Sequence, residues 1–94
     1  MSTKKIDVDK NSSHGLNERM SPEQCRAARA WLGWSQQDLA KRAKVGLSTV
    51  KDFENGSRTP IANNLGAMQQ ALEAADMELT DGEKPGIRGP IRAV

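Results

Sequence analysis

Between residues 21 and 76 the chain is punctuated so often that no long element fits inside it. Ser21-Pro22-Glu23-Gln24 and Ser35-Gln36-Gln37-Asp38 each place a hydroxyl cap three residues before a side chain that can return the hydrogen bond. Pro22 suits the first helical position, and Thr59-Pro60 is a third start signal. Gly33, Lys44-Val45-Gly46 and Gly56 supply the stops. Four helices are expected. The first spans residues 22–32, with Cys25, Ala28 and Leu32 on its apolar face. The second spans 36–43, with Leu39, Ala40 and Ala43. The third spans 47–55, with Val50 and Phe53. The fourth spans 61–75, where Leu65, Met68, Leu72 and Ala75 follow helical spacing.

Helices shorter than about 12 residues do not persist alone in water. These segments must therefore hold one another in a compact all-α domain of four to five helices. Its expected core is Ala28, Leu32, Trp34, Leu39, Ala40, Val45, Val50, Phe53, Ile61, Leu65, Met68 and Leu72. Cys25 belongs to the same interior rather than to redox chemistry. The organisation that follows is a flexible, polar arm over residues 1–20, the helical domain over 21–76, and a C-terminal strand or tail over 77–94. Residues 77–80 alternate apolar and polar, and Asp81-Gly82 turns. That segment is either a short strand, paired with 86–88 as a hairpin, or a frayed tail.

Charge is distributed unevenly. The whole chain carries a net +2, too little to argue for nucleic acid. Residues 21–59 carry +3, from Arg26, Arg29, Lys41, Arg42, Lys44, Lys51 and Arg58 against four acids. Residues 60–80 have no base, and Glu73, Asp76 and Glu78 make them −3. Such a division fits a domain that turns one face to a polyanion and another to water or a partner, and it also fits ordinary surface scatter.

The remaining composition excludes whole classes. The longest run without a polar side chain is Ala30-Trp31-Leu32-Gly33-Trp34, far short of the roughly 20 residues of a membrane helix. Residues 1–16 hold no apolar stretch behind their lysines, so no secretory leader is expected and the protein is expected in the cytoplasm. One cysteine and one histidine make neither a disulfide framework nor a zinc site. His14, the one candidate catalytic base, sits in the polar arm, so no enzyme, metal or cofactor is expected.

The stretch from Ser35 to Pro60, SQQDLAKRAKVGLSTVKDFENGSRTP, joins two short helices by a tight turn. It resembles the phage-repressor-like (Xre/Cro) helix-turn-helix family. The matching residues are Ser35-Gln36, Leu39-Ala40, Val45, Ser48-Thr49-Val50, Phe53-Glu54-Asn55-Gly56, Arg58 and Pro60, with Arg29 in the first helix. The resemblance covers about residues 21–76 and implies a DNA-binding domain whose third helix enters the major groove.

The residues themselves agree with that implication. Val50 and Phe53 would hold the third helix, leaving Leu47, Ser48, Lys51, Asp52 and Asn55 facing outward. Base-edge contacts are expected from Ser48 and Asp52, one turn apart, from Leu47 toward a thymine methyl, and from Lys51 to guanine or phosphate. Phosphate contacts are expected from Lys44, Thr49, Asn55 and Arg58. The resemblance implies that Gln36 touches the DNA backbone and buttresses the third helix. It also implies that Arg29 and Glu54 form an internal ion pair. Trp31 marks either a partner surface or a packing site for the arm. Lys44 stands where the family often has glycine, which requires either a less strained turn or a left-handed lysine. Gly46 replaces the usual serine or threonine cap, and Asp76 stands where a glycine often ends the fourth helix.

Three functions compete. The first is a sequence-specific regulator, a repressor, binding double-stranded palindromic DNA as a homodimer joined through the fourth helix with residues 77–80 or the tail. The second is the antitoxin of a toxin–antitoxin pair, with a tail that holds a protein partner. The third is a protein-interaction module on the same scaffold, such as a coactivator or antiactivator.

Overall fold

The computed structural model describes residues 20–81 and 84–91. The expected arm, apart from Met20, lies outside the described residues. Four helices and a two-stranded hairpin follow in order: α1 (Pro22–Leu32), α2 (Gln36–Ala43), α3 (Leu47–Glu54), α4 (Ala62–Ala74), β1 (Glu78–Thr80) and β2 (Gly86–Arg88). The strands are antiparallel, with Leu79 opposite Ile87. The C-terminal segment is thus a hairpin and not a frayed tail. Its strand begins one residue later than the alternation suggested.

Local chemistry accounts for the ends of α1 and α2. Ser21 and Gln24 exchange hydrogen bonds at the start of α1, and Ser35 and Asp38 do the same for α2, two complete capping boxes. Gly33 ends α1 in the left-handed region at φ 73°. Lys44 ends α2 there too, at φ 59°. Of the two alternatives for this turn, the structure has the left-handed lysine. Asp76 likewise adopts φ 69° beyond α4. Helix α3 stops one residue earlier than expected, with Asn55 as its C-cap, and α4 is one residue shorter at each end.

The buried core gathers Cys25 and Ala28 from α1, Leu39, Ala40 and Ala43 from α2, Val50 and Phe53 from α3, and Leu65, Met68 and Leu72 from α4. Met20 and Met77, outside the expected set, join it. Leu32, Trp34 and Val45 are half-buried against its edge. Ile61 departs from expectation: it is 68% exposed. Four residues before Leu65 it would share the apolar face of α4 if the helix began there. Instead Ile61 is the N-cap, with extended backbone at ψ 157°, so it lies off the helical register.

The hairpin is fastened by one side chain. Gln24 closes the α1 capping box through its carbonyl oxygen. Its amide nitrogen donates to the carbonyls of Thr80 and Gly86, the latter at 2.9 Å. A two-stranded hairpin is marginal alone, and here the first turn of α1 supplies its anchor. The chain beyond β2 passes against Trp31, whose indole nitrogen donates to the Pro90 carbonyl at 3.1 Å. A Cβ at Gly89 would lie 2.5 Å from the indole nitrogen and 2.8 Å from the Met77 sulfur, so only glycine fits that crossing.

Candidate nucleic-acid interface

Helices α1, α2 and α3 converge on one buried carboxylate, Glu54, 3% exposed in the last turn of α3. Arg29 of α1 grips it with two parallel hydrogen bonds of 2.7 Å, from Nε to Oε2 and from Nη2 to Oε1. The third arm of that guanidinium donates to the Trp34 carbonyl at 2.9 Å, fixing the corner where α2 begins. Gln36, the first residue of α2, donates its amide to Oε1 at 3.0 Å. The Cys25 thiol donates to Oε2 at 3.1 Å. Arg26 donates to the Glu54 backbone carbonyl at the C-terminal end of α3. The ion pair implied by the resemblance is therefore the centre of a larger network.

The charges of this network follow from its geometry. Burial works against the Glu54 carboxylate, but the hydrogen bonds from Arg29, Cys25 and Gln36 prevail and hold its pKa below the usual value. The same bond from Glu54 raises the pKa of Arg29 further. Burial, aided by the adjacent carboxylate, pushes the Cys25 thiol up, so it remains a neutral donor. That environment suits a structural cysteine.

With its inner side locked by Val50, Phe53 and Glu54, α3 presents its other side to water. Ser48, Lys51 and Asn55 are exposed, and Leu47, Thr49 and Asp52 are half-exposed. Leu47 also rests its stem against the core edge. Gly46 offers α3 no side-chain cap, and the first turn has no acid, so the positive end of the helix is left uncompensated by its own residues. The Asn55 side-chain oxygen accepts from the Ser57 backbone amide at 2.8 Å and from its hydroxyl, shaping the turn after α3. Beside α3 lies a hollow of about 250 Å³ lined by Ser48, Asp52, Arg58, Ile61 and Asn64, among others.

The surface charge is divided only in part: Asp38 is exposed among the bases of α2, and Arg88 of β2 stands 3.6 Å from Glu78 of β1. Lys41, Arg42, Lys44, Lys51 and Arg58 are all exposed on or just after α2 and α3. Glu73, Asp76 and Glu78 are exposed at the far end of α4 and on β1. Arg42 stacks over Trp34, 4.3 Å from the ring centroid, and stiffens the start of α2. Among the expected site residues, Leu47, Ser48, Thr49, Lys51 and Asp52 share α3, Asn55 caps its end, and Arg58 joins Ser48, Thr49 and Asp52 around the hollow. Gln36 donates its side-chain amide inward to Glu54, joining the start of α2 to the last turn of α3. Sequence reasoning missed the parts of Cys25, Arg26 and Gln24. Their partners lie 28 to 62 residues away, beyond any local pattern.

Two short helices set by a tight turn, the second bare on its outer side and braced from within, define a helix-turn-helix DNA-binding domain. The chain belongs to the phage-repressor-like (Xre/Cro) helix-turn-helix family: a family model described as Helix-turn-helix matches residues 26–75, more than half of the chain. No curated protein matches the chain. Membership makes it a DNA-binding regulator of transcription in general terms, with double-stranded DNA as its partner. Among the described residues no helix is long and apolar enough to cross a membrane.

Proposed function

We propose that this protein is a sequence-specific repressor that binds a palindromic operator as a homodimer, with α3 in the major groove. The observation that carries the reading is the two-sidedness of α3: Val50, Phe53 and Glu54 are buried, while Ser48 and Lys51 are exposed and Asp52 is half-exposed. A helix of eight residues gains little from standing so exposed unless another molecule reads that side.

In this reading Leu47, Ser48, Lys51 and Asp52 meet base edges. Serine serves either hydrogen-bonding partner, and aspartate accepts from cytosine N4. Gln36, Lys44, Thr49, Asn55 and Arg58 meet phosphates and set the register. The acidic segment of α4 and β1, where Arg88 of β2 offsets Glu78, faces away from DNA and joins the two protomers. Half-sites then lie about 34 Å apart, one helical turn. A dimer so placed represses by occupying its operator.

Selection of bound duplexes from a random pool by the purified protein tests this directly. An enriched inverted repeat supports it, and a pool with no enriched sequence and no salt dependence of binding removes it. Arg58→Ala should weaken binding to all duplexes alike and lower the salt slope by about 1. Asp52→Ala should instead change which sequence is selected.

A further inference from the structure

A large apolar side chain stands exposed beside α3. Ile61 is 68% exposed and borders the same hollow as Ser48, Asp52, Arg58 and Asn64. It occupies the N-cap of α4, where a hydroxyl or carboxamide side chain would satisfy a free backbone amide and isoleucine satisfies none. The position therefore forgoes a hydrogen bond and leaves hydrocarbon in water beside the surface expected to read bases.

We propose that Ile61 is a specificity residue: its side chain packs against the 5-methyl group of a thymine and selects T at one position of each half-site. Thymine alone among the DNA bases carries an apolar group on its major-groove edge. The hollow offers what a thymidine nucleotide presents together. Arg58 is a cation for the phosphate, Ser48 and Asn64 are hydrogen-bonding groups, and Ile61 with Pro60 forms an apolar wall. The net +3 of residues 21–59 is the complementary charge for the polyanion that delivers it. The inference rests on the DNA-binding reading of this face and adds to it a contact from outside α3, separate from the one expected of Leu47.

The test uses a duplex recovered by selection with the full chain. Each thymine is replaced in turn by deoxyuridine, which keeps every hydrogen-bonding group and removes only the methyl. The expected result is a position in each half-site where the wild-type protein binds the uracil duplex roughly fourfold more weakly, as burial of one methyl implies, and where that difference depends on Ile61. Ile61→Val should keep that ratio, Ile61→Ser should abolish it, and Leu47→Ala should leave it intact. Ile61→Ser should fold, with a melting temperature at or above wild type, because serine can cap α4. The proposal is overturned if no thymine position responds to loss of its methyl, or if every such response survives Ile61→Ser. A pool from which no duplex is enriched removes the DNA-binding reading and the inference with it, a result distinct from either.

Discussion

Helices α2 and α3 have the same length, eight residues, and are made stable in different ways. Helix α2 is closed at its start by the Ser35–Asp38 capping box, at its end by the left-handed Lys44, and has acid and base at the ends its dipole favours. Helix α3 has none of these at its start: Gly46 caps nothing, and the first turn carries no acid. What holds α3 is its underside, Val50 and Phe53 in the core and Glu54 gripped by Arg29, Cys25 and Gln36. The difference shows how a helix can be rigid yet keep its outer side and its positive end available to an anion. Its support has moved from the ends to the inner face.

That contrast can be broken most severely from below. Arg29→Ala strands Glu54, 3% exposed in the intact pair, and Glu54→Ala strands Arg29, 18% exposed; each should cost about 3–5 kcal/mol in denaturant unfolding. A loss under 1 kcal/mol for both would show that α3 does not depend on the network. DNA binding should fall with stability in each variant, since the groove-facing helix loses its seat.

Acid attacks the same support. The folded-state pKa of Glu54 is depressed, so its contribution is present above the unfolded carboxylate pKa of about 4.3 and is lost as pH falls through the folded value. Cys25 has the opposite sign: its folded pKa is raised, so its contribution is present below the unfolded thiol pKa of about 8.5 and declines as pH rises beyond it. Melting temperature against pH should fall at both ends. The Cys25→Ala variant should lose the part of the alkaline decline that Cys25 causes.

A smaller effect comes from the ends of the helices. Ser35→Ala removes the cap of α2 and should cost about 1 kcal/mol. Smallest of all, Gly46→Ser would give α3 the cap it lacks, and a Cβ there meets only Thr49 Oγ1 at 3.7 Å and Ser48 Oγ at 3.9 Å. It should stabilise by a few tenths of a kcal/mol. A gain above 1 kcal/mol would mean that α3 is limited by its end and not held by its underside.

Much of this architecture was legible in the residues. The start of α1 and both ends of α2 fall where Ser21, Ser35 and the turn at Lys44 place them, because a cap and its partner are three residues apart. The Arg29–Glu54 pair was accessible only through resemblance to a family, since 25 residues separate its members. The remainder of the network around Glu54 was not legible. A cysteine at an apolar position reads as packing, and nothing nearby marks its thiol as a donor to a carboxylate. Gln24 shows the same limit: its capping role is local, while its hold on the hairpin joins residues 56 and 62 positions away. Ile61 failed for a different reason, since periodicity assigned it to α4 while extended backbone at the cap took it out of the helical register.

By itself, then, the order of residues decided where α1 and α2 begin and end, the bounds of α3 and α4 to within a residue, and most of the apolar faces. Those choices turn on caps, glycines and side-chain spacing within one or two turns. Only the tertiary structure decided what braces α3, what anchors the hairpin, and that Ile61 stands in water. Each of these depends on groups distant in sequence arriving within hydrogen-bonding or packing distance, or on backbone geometry that periodicity does not encode.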